Sequence, residues 1–160
     1  MISREKFISL LTRARICHVS EVRMASESDV AALEQAVGQR LPLQYRSFLI
    51  AVGGGAGRFF EGTDIFLSSL HGLTEAANAL LAENGEAVGL PDDAFVFSMH
   101  QGYEFTYFRM SEGDDPPVYQ YVEGSGPAVL AWESFSGFLA ASIVRHADVI
   151  SQHFLDERCR

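Results

Sequence analysis

The residues of this chain that could do chemistry are five histidines, two cysteines and twenty-one carboxylates, and their spacing decides which chemistry is open. His18, His71, His100, His146 and His153 form no HxxxH or HxH pair. His146 and His153 could share a helix face, but two turns would hold them about 10 Å apart, too far for one ion. Neither a metal nor any other cofactor is expected from this set. His100 has the most catalytic character, because it ends a predicted strand beside Gln101 and Tyr103, although a turn histidine satisfied by backbone is the favoured reading. Gly53-Gly54-Gly55-Ala56-Gly57-Arg58 could cradle a phosphate, yet it follows a helix and lacks the Lys-Ser/Thr of a nucleotide loop, which favours helix termination. Gly124-Ser125-Gly126 lacks the outer spacing of a nucleophile elbow. Cys17 and Cys159 lie near opposite ends without metal-type spacing, so reduced thiols in a cytoplasm are expected and an end-to-end disulfide stays open. Glu112, Asp114 and Asp115 fall in a polar loop where solvent leaves them ordinary anions. An enzyme built on His100 is therefore an alternative reading, and a non-enzymatic domain the main one.

Charge is the stronger signal. The chain carries a net −9, but residues 1–58 hold eight bases against five acids, whereas residues 59–148 hold fourteen acids against Arg109 and Arg145. A block of that sign repels phosphate backbones, which argues against nucleic acid and suits a basic protein partner; solubility alone is the competing explanation. Eight of the eighteen aromatic residues fall between Phe95 and Tyr121, but with Arg109 as the sole base there, a base-stacking platform is disfavoured. Tyr103 and Tyr107 share one face of their strand, and Tyr119 and Tyr121 one face of the next. Exposed, such rings would form with Glu104, Glu112, Asp114, Asp115 and Glu123 a protein-binding patch; packed beneath a helix, only their hydroxyls would be wet. No apolar run approaches the roughly 18 residues of a membrane span, and Arg4, Glu5 and Lys6 precede no apolar block of a secretory signal.

The elements that must position these residues are legible from period and punctuation. Three consecutive strands are predicted in the middle: Ala94 to His100, with Phe95, Phe97 and Met99 on one face; Tyr103 to Met110; and Val118 to Val122, the first two joined through Gln101-Gly102. Before them, Ser3 caps a helix with Phe7, Leu10, Leu11 and Ala14 on one side, and Ser26 to Asp29 resembles a capping box for a helix ending at Gly38. Pro42 opens a third helix with Tyr45, Phe48, Leu49 and Val52 buried, stopped by Gly53 to Gly55. Phe59-Phe60 and Ile65 to Leu67 read as two short strands or a hairpin, and Leu73 to Ala82 as a helix ending at Asn84-Gly85. A short strand over Ala128 to Ala131 and a helix capped by Ser134 close the chain, with Phe135, Phe138, Leu139, Ser142 and Ile143 inward and Val149, Ile150, His153 and Phe154 extending the stripe. Helices, then hairpins, then a helix indicate a single α+β domain whose central, mostly antiparallel sheet is flanked by N-terminal and C-terminal helices.

Ser26 to Gly55, with Leu33-Glu34, Val37-Gly38, Leu41-Pro42, Tyr45 and Phe48-Leu49, resembles the opening of the SUKH superfamily in its Smi/Knr cell-wall-regulator branch. His100-Gln101-Gly102-Tyr103, Asp115-Pro116-Pro117-Val118-Tyr119 and Trp132-Glu133-Ser134-Phe135 follow in the family's order. The resemblance implies a family domain over residues 26–145, preceded by a helix and connection (1–25) and followed by a helical extension on the same domain (146–160). It also implies a protein-binding activity. Many bacterial relatives are immunity proteins that neutralise a toxin, often a nuclease, and yeast members resemble regulatory scaffolds. The expected partner is thus a basic toxin domain, with a regulatory role without a toxin as the alternative.

Overall fold

The computed structural model describes residues 3–158, with side chains described as far as residue 149. Its elements are α1 (Arg4–Arg13), β1 (Val22–Arg23), α2 (Glu27–Val37), α3 (Leu43–Val52), β2 (Gly55–Ala56), β3 (Thr63–Asp64), α4 (Leu73–Glu83), β4 (Ala94–His100), β5 (Glu104–Arg109), β6 (Val118–Val122), β7 (Val129–Trp132) and α5 (Phe135–Arg158). Strands β3 to β7 form one antiparallel meander in sequence order, and β1 pairs with β2 in a second, two-stranded ribbon. From β4 to β7 each strand meets the next through a short connection that keeps the pairing local, whereas β3 reaches β4 through residues 65–93, which contain α4. The result is a single α+β domain.

Caps fall where the sequence places them. The Ser3 hydroxyl accepts from the Lys6 N–H, and Ser26 and Asp29 close a reciprocal box at 3.1 Å each way. Pro42 sits one residue before α3, and Gly38 takes φ 79° after α2. Gly53 and Gly54 do more than stop α3. A Cβ on Gly53 would lie 2.4 Å from the Leu49 carbonyl oxygen, and one on Gly54 would lie 3.0 Å from the Arg23 Cβ. Absent side chains there let β1 cross close over the helix end, where Arg23 O accepts from Gly54 N–H at 2.9 Å.

Two sequence expectations are corrected. Phe59 and Phe60 are buried from turns, not strands, and Leu67–Ser69 is a single helical turn; the short strand is instead Thr63–Asp64. Second, β4 does not alternate throughout. Val96 pairs with Tyr107 and Ser98 with Thr106, which leaves Phe97 as an extra residue. This bulge keeps Phe97 on the side of Phe95, both rings stacking on Phe108 (5.3 and 5.4 Å), and turns Met99 to the other side, opposite Phe105.

Both faces of the sheet are covered. On one, the fully buried Tyr45 of α3 lies 5.2 to 5.8 Å from Phe95, Phe97, Phe108 and Phe135, so α3 and the start of α5 share an aromatic core with β4 and β5. On the other, α4 presents Leu73, Ala77, Leu80 and Leu81 and packs on β4. Ile150, His153 and Phe154 have side chains outside the described set, as does Cys159, so any pairing with the buried Cys17 lies outside it too.

Candidate functional site

The residues expected to form one acidic patch are split between two ends of the sheet. Glu104 begins β5, and Glu123 follows β6 with its N–H donating to the Tyr103 carbonyl at 2.9 Å, so these three stand together at one end. Glu112 and Asp114 lie in the β5–β6 connection at the other end, about 17 Å away along the six residues of β5. The split follows from antiparallel pairing, which returns the chain to alternate ends with each strand.

Several of these groups are also engaged within the fold. Asp115 accepts from Ser136 N–H at 2.8 Å through one oxygen and from Ser136 Oγ at 2.6 Å through the other, so it fastens the start of α5. Glu112 accepts from the Tyr119 hydroxyl at 3.0 Å while its other oxygen is buried without a partner. Tyr121 is fully buried, stacks on Phe105 at 5.2 Å and donates to Glu86 at 3.3 Å. Its ring is core, and the expectation that it faces a partner is corrected: it shares a face with Phe105, which α4 covers. Tyr107 is buried as well and stacks on the half-buried Tyr119 at 5.1 Å. Tyr103, in the β4–β5 turn, is the exposed tyrosine of the four. Asp114 and Glu123 are exposed, and Glu104 is half-buried with Gln120 donating to it at 2.9 Å.

At the Glu104 end, the sheet face beyond the aromatic core opens into a cleft of ≈ 820 Å³. Its floor is polar: Ser98 and Thr106 hydroxyls pair at 2.5 Å across β4 and β5, and Thr63 Oγ1 lies 2.8 Å from His100 Nδ1 across β3 and β4. Its sides are apolar, from Phe60, Phe138 and Trp132, with the Trp132 and Phe138 rings 5.1 Å apart. The turn that buries Phe60 also carries Arg58 and Glu61 to the mouth, and α5 brings Arg145 and His146. Phe60 N–H donates to His146 Nε2 at 3.3 Å, which ties that turn to α5; burial, helped by the nearby Arg145 cation, holds the His146 imidazole below its ordinary range and keeps Nε2 an acceptor.

His100 therefore does line a polar cleft. Its neighbour Thr63 provides a hydroxyl, whereas Ser98 is paired with Thr106 instead. Among the described residues no cluster of three or more His, Cys, Asp or Glu is placed to hold a metal ion. Cys17 is buried, and desolvation together with the Glu21 carboxylate pushes its thiol up, away from the reactive thiolate. Among the described residues, no helix is long and apolar enough to cross a membrane. The sequence reading missed the cleft because its lining comes from five separate elements and two turns. One signal was available: Trp132, the sole tryptophan of the chain, lies next to the Ser134 cap.

Comparison with known families agrees with this architecture. Residues 27–139, from the first residue of α2 into α5, match the SUKH_6 family model, described as SMI1-KNR4 cell-wall. Comparison with curated proteins returns no match. The matched span contains the α2–α3 pair, the whole five-strand meander and the Ser134-capped start of α5, and on that basis the chain belongs to the SMI1-KNR4 cell-wall family of SUKH domains.

Proposed function

We propose that this chain is a non-enzymatic protein-binding domain of the cytoplasm, an immunity protein that neutralises a basic toxin domain, such as a nuclease, by covering its active site. Membership of the SUKH family carries the proposal. It is supported by the gathering of exposed Tyr103, Glu61 and Glu123 with half-buried Glu104 at one end of the sheet. An aromatic ring ringed by carboxylates suits a cationic, hydrogen-bonding partner surface. Tyr103, Glu104 and Glu123 form the contact in this reading, with Glu112 and Asp114 contributing long-range field from the far end and Tyr119, Asp115 and Tyr121 holding the fold. A nanomolar complex corresponds to about −12 kcal/mol, most of it from a few central anchors. The test is rescue: expressing a candidate toxin whose gene neighbours this one should arrest growth, and co-expressing this chain should restore it. Failure to rescue, with a stable complex still formed in the same cells, favours the family's regulatory or scaffold role instead.

The ≈ 820 Å³ cleft with His100 and Thr63 at its floor supports a second reading, a small-molecule or hydrolytic enzyme. That reading requires turnover that disappears in His100→Ala.

A further inference from the structure

The formal charges of the arginines and glutamates at the cleft balance. Arg58, Arg145, Glu61 and Glu104 all line it. Among the described residues the ion pairs are Arg46 with Glu27 and Glu34, and Arg109 with Asp93, so none of the four pairs with another. Glu104 spends one oxygen on Gln120 and keeps the second. His146 uses Nε2 to accept from Phe60, which leaves Nδ1–H as a donor. Two cations and two anions around one concavity, unpaired with each other, discriminate by ligand charge: a simple anion meets Glu61 and Glu104, and a simple cation meets Arg58 and Arg145. A molecule bearing both signs finds a complement for each. Between them, Phe60, Phe138 and Trp132 offer an apolar wall for a hydrocarbon body, and the volume falls within the roughly 300–1,000 Å³ of small-molecule sites.

We infer that the cleft is a binding site for a zwitterion with an apolar body, a free aliphatic amino acid or a short peptide. Its carboxylate engages Arg58 and Arg145, its ammonium engages Glu104 and Glu61, and its side chain lies against Trp132. The site shares Glu61 and Glu104 with the toxin-neutralising surface but needs no protein partner, so either reading can fail alone.

Because Trp132 is the sole tryptophan, indole emission of the full chain reports on this cleft, and calorimetry on the same titration records binding that the indole does not sense. Four probes separate the charges: L-leucine, leucyl-leucine, 4-methylpentanoate, which lacks the ammonium, and 3-methylbutylamine, which lacks the carboxylate. Saturable binding of leucine or the dipeptide at least tenfold tighter than either truncated probe supports the site, and the tighter of the two zwitterions distinguishes a free amino acid from a peptide. Arg58→Gln and Glu104→Gln, each checked for an unchanged melting temperature, should weaken that binding tenfold or more, the size of a lost charge-assisted hydrogen bond; Arg145→Gln replaces either variant that does not fold. No saturable signal with either zwitterion, truncated probes that bind as tightly as leucine, or folded variants that bind unchanged would each overturn the inference.

Discussion

Replacing Tyr45 by Phe should stabilise this protein. The Tyr45 ring is fully buried at the centre of the aromatic core, and its hydroxyl is buried without a hydrogen-bond partner. Burial alone pushes that phenol well above its ordinary range, so it is a neutral O–H that lost its water and found no acceptor. A hydroxyl in that state costs about 1–3 kcal/mol relative to a satisfied one, and the phenylalanine ring keeps every stacking contact while giving up one oxygen's packing. The net expectation is a gain of about 1 kcal/mol. In a chain of this size that raises the melting temperature by about 2–4 °C. Tyr119→Phe is the matched control, because the Tyr119 hydroxyl donates to Glu112, whose second oxygen is already buried and unpaired. Losing that bond should lower stability by about 1–3 kcal/mol. Urea unfolding and differential scanning calorimetry on both variants give the comparison. A Tyr45→Phe protein that melts below the parent would mean the hydroxyl is hydrogen-bonded in solution, and the packing described for α3 would be wrong.

Three further outcomes follow from the same contacts. Gly53→Ala places a methyl 2.4 Å from the Leu49 carbonyl oxygen and 2.9 Å from the Ala25 Cβ, so it should cost at least about 2 kcal/mol in urea unfolding. Asp115→Ala removes both bonds to Ser136 and should lower stability by about 0.5–2 kcal/mol, with amide exchange accelerating first in the opening turn of α5. His146 has its folded-state pKa below the ordinary 6.5 through burial and then Arg145, so its unfolded form takes up a proton first as pH falls. Its contribution is complete above pH 6.5 and is lost as pH drops through the lowered folded value; a melting curve series from pH 8 to 5 should show this loss, and His146→Gln should reduce it.

Local rules carried most of the architecture. The capping box at Ser26, the stop at Gly38 and the hairpin at Gln101-Gly102, where Gly102 takes φ 80°, all depend on residues within four positions of each other. What escaped depends on distance. The bulge at Phe97 changes no residue type and moves a ring by one position, so alternation read from composition put Met99 on the wrong face. The strands Val22–Arg23 and Gly55–Ala56 are too short for any period and exist because the glycines let the two segments touch. At the candidate site, carboxylate identity was visible but engagement was not: Asp115 is claimed by Ser136, twenty-one residues on, and Tyr121 by Glu86, thirty-five residues back. The cleft arises where β3, β4, β5, β7, α5 and the Arg58–Thr63 turn meet, a coincidence of tertiary packing that no window along the chain contains.

The binding account is tested most directly by charge reversal at one end of the sheet. Affinity capture from the native cell uses the parent chain and two variants that share one net charge, Glu104→Lys/Glu123→Lys and Glu75→Lys/Glu83→Lys on α4. The account predicts that one basic protein is retained by the parent and by the α4 variant, is lost from the β5–β6 variant, and associates with the parent more slowly as salt rises. Retention of that protein by all three baits, with an association rate indifferent to salt, would contradict it.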